Sequence, residues 1–128
     1  MIIAGVGCRK GASAHEVGAA IAEALQRAGL GREALARVAT SVMKRGESGI
    51  AAAADALGVP LVLVPQADLE TASARTLTRS ARAIAHTGLR SLAEAAALAA
   101  GGPQAKLVAP RVAVGPATCA LARLAGAP

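Results

Sequence analysis

The chain has 128 residues, 54% of them hydrophobic, yet none is Phe, Tyr or Trp. Without rings to stack a base or cage a cation, aromatic-based nucleic-acid binding and cation capture are excluded. Fourteen Lys and Arg against eight acids give a net charge of +6, and arginine, the commoner of the two, grips carboxylates and phosphates through paired hydrogen bonds. An anionic small-molecule partner is therefore expected, and no nucleic acid. Alanine supplies 36 residues while Ile, Leu, Val and Met together supply 31, so the core has to form by close backbone approach.

Met1 to Val6 is a short apolar run with two β-branched isoleucines, which predicts a buried first strand. A loop over Gly7 to Ala12 follows, and Ser13 and Glu16 stand in capping-box spacing at the start of a helix that Gly29 ends. Leu30 to Arg37 carries a further helical turn, Val38 to Val42 a second strand, and Met43 to Ser48 a polar break. An alanine-rich helix, Gly49 to Leu57, stops at Gly58 and leads to Leu61-Val62-Leu63-Val64, read as a strand buried on both faces and stopped by Pro65.

Gln66 to Ala85 has a short helix near Asp68 and then little periodicity, the composition of a mobile or site-lining connection. Arg75, Arg79 and Arg82 would form one basic stripe if that stretch were helical. His86-Thr87-Gly88 reads as a turn. Ser91 and Glu94 repeat the capping-box spacing before a helix that Gly101, Gly102 and Pro103 terminate. Lys106 to Val114 and Thr118 to Leu124 are β-rich runs around Gly115-Pro116-Ala117, a hairpin with a bend or edge at Pro110. Helices interleaved with strands predict one α/β domain over residues 1–128, a three-layer α/β/α sandwich with a mixed sheet and a C-terminal β-hairpin.

Apolar residues precede the first charges at the N-terminus, the reverse of a secretory signal, and Asp55 and Glu94 break the richest apolar stretches well below membrane-span length. Cys8 and Cys119 are too far apart for a metal or redox motif. The expectation is a cytoplasmic protein with no membrane segment, no metal site and no cofactor.

Three constellations carry candidate chemistry. Gly5-Val6-Gly7-Cys8-Arg9-Lys10-Gly11 sits between a strand and a helix, where glycines admit a ligand to the backbone and two cations attract an anion. Its spacing is neither the dinucleotide fingerprint nor a P-loop, and a tight turn with two solvated bases fits it equally well. Cys8 beside these bases is expected to have a lowered pKa, whereas Cys119 reads as core and His15 as a surface residue. The second constellation, Thr40 to Gly49 with Lys44, Arg45 and Glu47, shares an edge with the first loop if the first two strands are parallel. The third, Gly88 to Glu94, is first of all a helix cap.

Taken in order, these motifs resemble the family formed by the C-terminal domain of the cobalamin-biosynthesis protein CbiG and its stand-alone relative CobE. The matching residues are Gly5 to Gly11; Thr40, Lys44, Glu47 and Gly49; Gly88, Ser91, Glu94 and Ala95 to Leu98; Leu107 to Pro110; and Thr118, Ala120 and Ala122. Gly46 departs from the pattern, which carries an acid there. The resemblance implies a role in cobalamin synthesis, with a precorrin or corrin intermediate as ligand and other pathway enzymes as partners.

It also implies ligand contacts from Gly7, Cys8, Arg9, Lys10, Gly11, Thr40, Lys44, Glu47, Ser91 and Glu94. Carboxylate-rich corrin precursors suit a basic site floored by small aliphatic side chains. Binding or carriage is one reading. The alternative is a hydrolase-like enzyme, as in the lactone opening associated with CbiG, with Cys8, Lys44, Glu47 or Glu94 as nucleophile, acid or base. Self-association is left open, with a homodimer among the states an alanine-rich helix face allows.

Overall fold

The structure is a computed structural model and describes residues 1–124, apart from the side chains at 82, 83 and 86. One mixed sheet of six strands runs in the order β3-β2-β1-β6-β4, with β5 also on β6. Strands β1 (Ile2–Cys8), β2 (Leu35–Ser41) and β3 (Leu61–Val64) are parallel. Strand β6 (Ala117–Arg123) runs antiparallel to β1, and β4 (Lys106–Leu107) and β5 (Val112–Val114) pair antiparallel with it, the latter as the expected hairpin.

Helices α1 (Ala14–Arg27) and α2 (Ser48–Leu57) cover one face and α3 (Gln66–Ser73) and α5 (Leu92–Gly101) the other, completing the α/β/α sandwich. Alternation along β1 sorts the two cores: Ile2, Ala4 and Val6 join the α1/α2 side, and Ile3 joins the α3/α5 side. On that second face the next inward position is Gly5, where a Cβ would run into the Ala93 carbonyl and the Ala97 amide of α5. The helix therefore lies backbone-on-backbone against the strand, and Ala93, Ala95, Ala96 and Ala97 are fully buried around the contact. Gly7 has a comparable role, because the Thr118 hydroxyl stands 2.9 Å from where its Cβ would be.

Several boundaries differ from expectation for non-local reasons. Strand β1 continues through Gly7 and Cys8 because β6 pairs with all of it, from Ile2 opposite Arg123 to Cys8 opposite Ala117. The helical turn expected over Leu30 to Arg37 contracts to a 3-10 turn at Arg32–Ala34, so β2 starts earlier, and Val42–Lys44 forms another 3-10 turn in the polar break. The β-rich run from Lys106 splits into β4 and β5 around Pro110.

Strand β3 is not buried on both faces: it is the sheet's edge, Leu61 and Val62 are half-buried, Leu63 is 38% exposed, and only Val64 is buried. The short helix expected near Asp68 is α3, and the stretch after it, which shows little periodicity in sequence, holds a further helix, α4 (Ala81–Thr87). His86 and Thr87 close α4, and the turn itself falls at Gly88, with φ of 73°. Arg75 and Arg79 lie between these helices and form no stripe; Arg75 instead donates to the carbonyls of Ala105 at 2.9 Å and Gly102 at 3.3 Å. Arg82, the third residue of that stripe, has a side chain outside the described residues. No helix among the described residues is long and apolar enough to cross a membrane.

Two glycines give opposite expectations. Gly5→Ala forces α5 off the sheet and should cost about 2–4 kcal/mol. Gly18, within α1 with open space around it, should gain about 0.5–1 kcal/mol on Gly18→Ala from helix propensity. Guanidinium unfolding followed by circular dichroism measures both.

Candidate functional site

Because β1 and β2 are parallel, the loops after Cys8 and Ser41 leave the same sheet edge, as the second constellation requires. Arg9 is tied to the β5–β6 turn by its N–H on the Pro116 carbonyl at 2.8 Å, and the Ala12 N–H returns to the Arg9 carbonyl at 3.2 Å. Gly11 takes φ of 83°, so the reversal needs glycine there. Behind it Ser13 caps α1 in a closed capping box, accepting from the Glu16 N–H at 3.1 Å while Glu16 accepts from the Ser13 N–H at 2.9 Å.

Both ionic groups of the second loop brace the first. Lys44 Nζ donates to the Cys8 carbonyl at 2.9 Å, and Glu47 Oε1 accepts from the Gly11 N–H at 2.9 Å. Gly49 keeps α2 close, since a Cβ there would meet the Ala12 carbonyl. The Arg9–Lys10 segment is thus hung between two charged struts. Arg9, Lys10 and Arg45 are exposed, and their side chains have no hydrogen-bond or ion-pair partner among the described residues. Arg45 is a cation that a site drawn only from the family motif passes over. Its signal was its place beside Lys44 in the polar break.

Other candidates are committed elsewhere. Thr40 is fully buried and its hydroxyl donates to the Val6 carbonyl at 2.7 Å, locking β2 to β1 beneath the loops. The Cys8 thiol is pushed above its ordinary pKa, chiefly by burial, with Glu47 adding to the rise and Lys44 opposing it. That reverses the lowered value expected from the adjacent bases, because Arg9 and Lys10 point their charge into solvent while the thiol stays half-buried. Cys119, wholly buried in β6, is pushed up to about 12, and His15 is on the surface.

Ser91 and Glu94 lie at the N-terminus of α5, both fully buried. Ser91 accepts from the Glu94 N–H at 3.4 Å, but the carboxylate does not close the capping box. It accepts instead from the N–H groups of Leu77 at 2.7 Å, Thr78 at 2.8 Å and Arg111 at 2.9 Å, and from the Thr78 hydroxyl at 2.6 Å. One buried carboxylate therefore joins the segment between α3 and α4, the start of β5 and the helix. Its partners are mostly backbone groups far along the chain, which no residue type advertises. Thr118, part of the matching closing strand, has a contact that the motif does not reveal: its hydroxyl donates to the Gly7 carbonyl at 3.2 Å.

The edge so assembled gathers Cys8, Arg9, Lys10, Gly11, Lys44 and Glu47, with Gly7 and Thr40 beneath in the sheet and Ser91 and Glu94 buried at the N-terminus of α5. No group of three His, Cys, Asp or Glu among the described residues is arranged to hold a metal. Residues 2–122 match the family described as cobalamin synthesis G C-terminus. This chain belongs to that family. It is a protein of cobalamin biosynthesis of the CobE and CbiG C-terminal type.

The chain is 35% identical to the protein CobE of Sinorhizobium sp over 121 residues, 94% of this chain and 79% of that one. Among solved structures, a CobE crystal structure superposes with a TM-score of 0.91 at 37% identity, covering 98% of this chain and 91% of the other. The cobalamin biosynthesis protein chiG of Agrobacterium tumefaciens strain C58 gives 0.79 at 41% identity, covering 98% and 100%. The loop and sheet of this CbiG C-terminal family member are thus built on a scaffold its relatives share.

Two expectations follow. With its pKa raised, Cys8 is a protonated thiol at neutral pH, and its alkylation by iodoacetamide should be slower than that of a free cysteine until the solution becomes clearly alkaline. Glu47→Gln should speed the reaction at a given pH and Lys44→Met should slow it, because the two charges act on the thiolate with opposite sign. Glu94→Gln, which replaces one acceptor with donors facing buried N–H groups, should cost about 1–3 kcal/mol in chemical denaturation.

Proposed function

We propose that the Arg9–Lys10 loop binds the carboxylate rim of a precorrin or corrin intermediate, and that this protein holds the intermediate and hands it to another enzyme of cobalamin biosynthesis in the cytoplasm. The observation that carries the reading is the pair of exposed cations, without a side-chain partner among the described residues, on a loop whose backbone is fixed at Cys8, Arg9 and Gly11. A preformed loop binds without spending affinity on its own ordering. Arg45, on the bracing loop, adds a third cation for a ligand with several carboxylates.

The groups offered for catalysis are less suited to it. Cys8 holds its proton, Lys44 and Glu47 are engaged as struts, and Glu94 is sealed among backbone donors. These commitments favour carriage over the hydrolase-like alternative. Two cavities, one beside the end of α1 and one around Arg75, Lys106 and Arg123, are lined by none of the loop's residues. A ligand on the Arg9–Lys10 loop would lie along an open edge, which suits transfer to a partner.

Titrating purified precorrins against the protein and following their visible absorption tests this. A spectral shift with micromolar or tighter Kd is expected, weakened about 100-fold or more by Arg9→Ala with Lys10→Ala. Arg123→Ala with Lys106→Ala, at the opposite sheet edge, is the charge-matched control and should leave binding unchanged. Wild-type affinity in the loop variant overturns the site, and a changed precorrin mass on incubation overturns carriage in favour of catalysis.

A further inference from the structure

A second concavity lies away from the Arg9–Lys10 loop. Between the end of α1 and the bend joining β4 to β5 is a cavity of about 300 Å3, walled by Ala24 and Ala28 on the helix side and floored by Val112, Cys119 and Leu121 of the sheet. The three floor residues are buried, and no polar side chain stands among them. A dry cavity of roughly half this size already admits a benzene molecule, so the space is large enough for a branched aliphatic chain and far too small for a corrin.

Two arginines complete the lining. Arg27 is already engaged, its Nε donating to Glu23 at 2.7 Å. Arg111 is different. Its backbone N–H is fixed on Glu94 at 2.9 Å, which holds the residue in place, yet its guanidinium has no hydrogen-bond or ion-pair partner among the described residues. The residue is half-buried beside the apolar wall. An unpaired guanidinium beside apolar surface gains from a carboxylate, which it can meet with two parallel bonds.

We propose that this cavity binds a short aliphatic carboxylic acid, its carboxylate on Arg111 and its hydrocarbon tail among Ala24, Ala28, Val112, Cys119 and Leu121. The site is independent of the precorrin reading, because it shares no residue with the Arg9–Lys10 loop. Its selectivity would come from the combination of one cation with a pocket that lacks aromatic surface: a flat ring finds nothing to stack on, whereas a branched chain fills the space between alanines.

The test is a titration of the full chain, labelled with 15N, with 4-methylpentanoate and with its uncharged amide, followed by amide chemical shifts. Saturable shifts at Ala24, Ala28, Val112, Cys119 and Leu121 are expected, with Kd of about 0.1–1 mM for the acid and at least tenfold weaker binding of the amide. Arg111→Leu keeps the backbone bond to Glu94 and should bring the acid down to the amide's affinity. Ala28→Leu should abolish binding of both by filling the cavity. No saturable shift up to about 10 mM, equal affinity for acid and amide, or shifts confined to Arg9–Gly11 would each overturn the proposal, and the acid-to-amide comparison on the unmodified chain decides it whether or not either variant folds.

Discussion

Helix α5 lies on β1 with no side chain between them at Gly5, and the rest of the molecule is arranged around that contact. A core without aromatic rings cannot fill a wide gap between layers, so it has to close the gap. The buried alanines of α5 do this on the helix side and Gly5 on the strand side. The close approach then sets where α5 begins, and with it where Glu94 is buried. Glu94 in turn holds the 77–78 backbone and the start of β5 to the same helix. Alanine abundance is thereby a structural condition of the fold as well as a compositional bias.

Carboxylates do the organising work that large side chains do elsewhere. Glu94, in the first turn of α5, accepts three backbone N–H groups from segments distant in sequence, and Glu47, at the exposed edge, accepts that of Gly11. A charged acceptor makes stronger bonds to N–H groups than a neutral one, and it also leaves the loop fixed in one geometry. Lys44 completes the pattern from the opposite sign, donating to the Cys8 carbonyl. The ionic groups in the family motif at this edge are thus divided: Lys44 and Glu47 support the backbone, and Arg9 and Lys10 face solvent.

Local signals in the sequence were legible and non-local ones were not. The Ser13–Glu16 box, the ends of the helices at Gly29, Gly58 and Gly102, and the hairpin around Gly115 all depend on residues a few positions apart, and all stand where spacing put them. The layering followed from the alternation of strands and helices. By contrast, Leu61 to Val64 is as apolar as an inner strand, because pattern reports hydrophobicity and says nothing of order across the sheet. Ser91 and Glu94 have the spacing of a capping box, yet only the serine half forms, since four donors brought in by tertiary structure outcompete one local N–H. The Gly5–Gly11 motif was visible as a motif, but its glycines divide: Gly5 and Gly7 serve packing, and only Gly11 serves the loop's turn.

That division bears on what kind of site the edge can be. Proton transfer needs a group whose pKa is moved toward neutrality and whose lone pair or proton is free to reach a substrate. Here the thiol is moved the wrong way, and the nearby acid and base are consumed in holding backbone. Exposed arginine and lysine remain, in water, where each carboxylate contact is weak singly and gains strength only by being repeated around a polyanionic rim. Such contacts form and dissolve without a large desolvation barrier. On the proposed reading, such an edge would hold a many-carboxylate ligand by the sum of its contacts and release it one contact at a time, the behaviour a carrier requires and an enclosed catalytic pocket avoids.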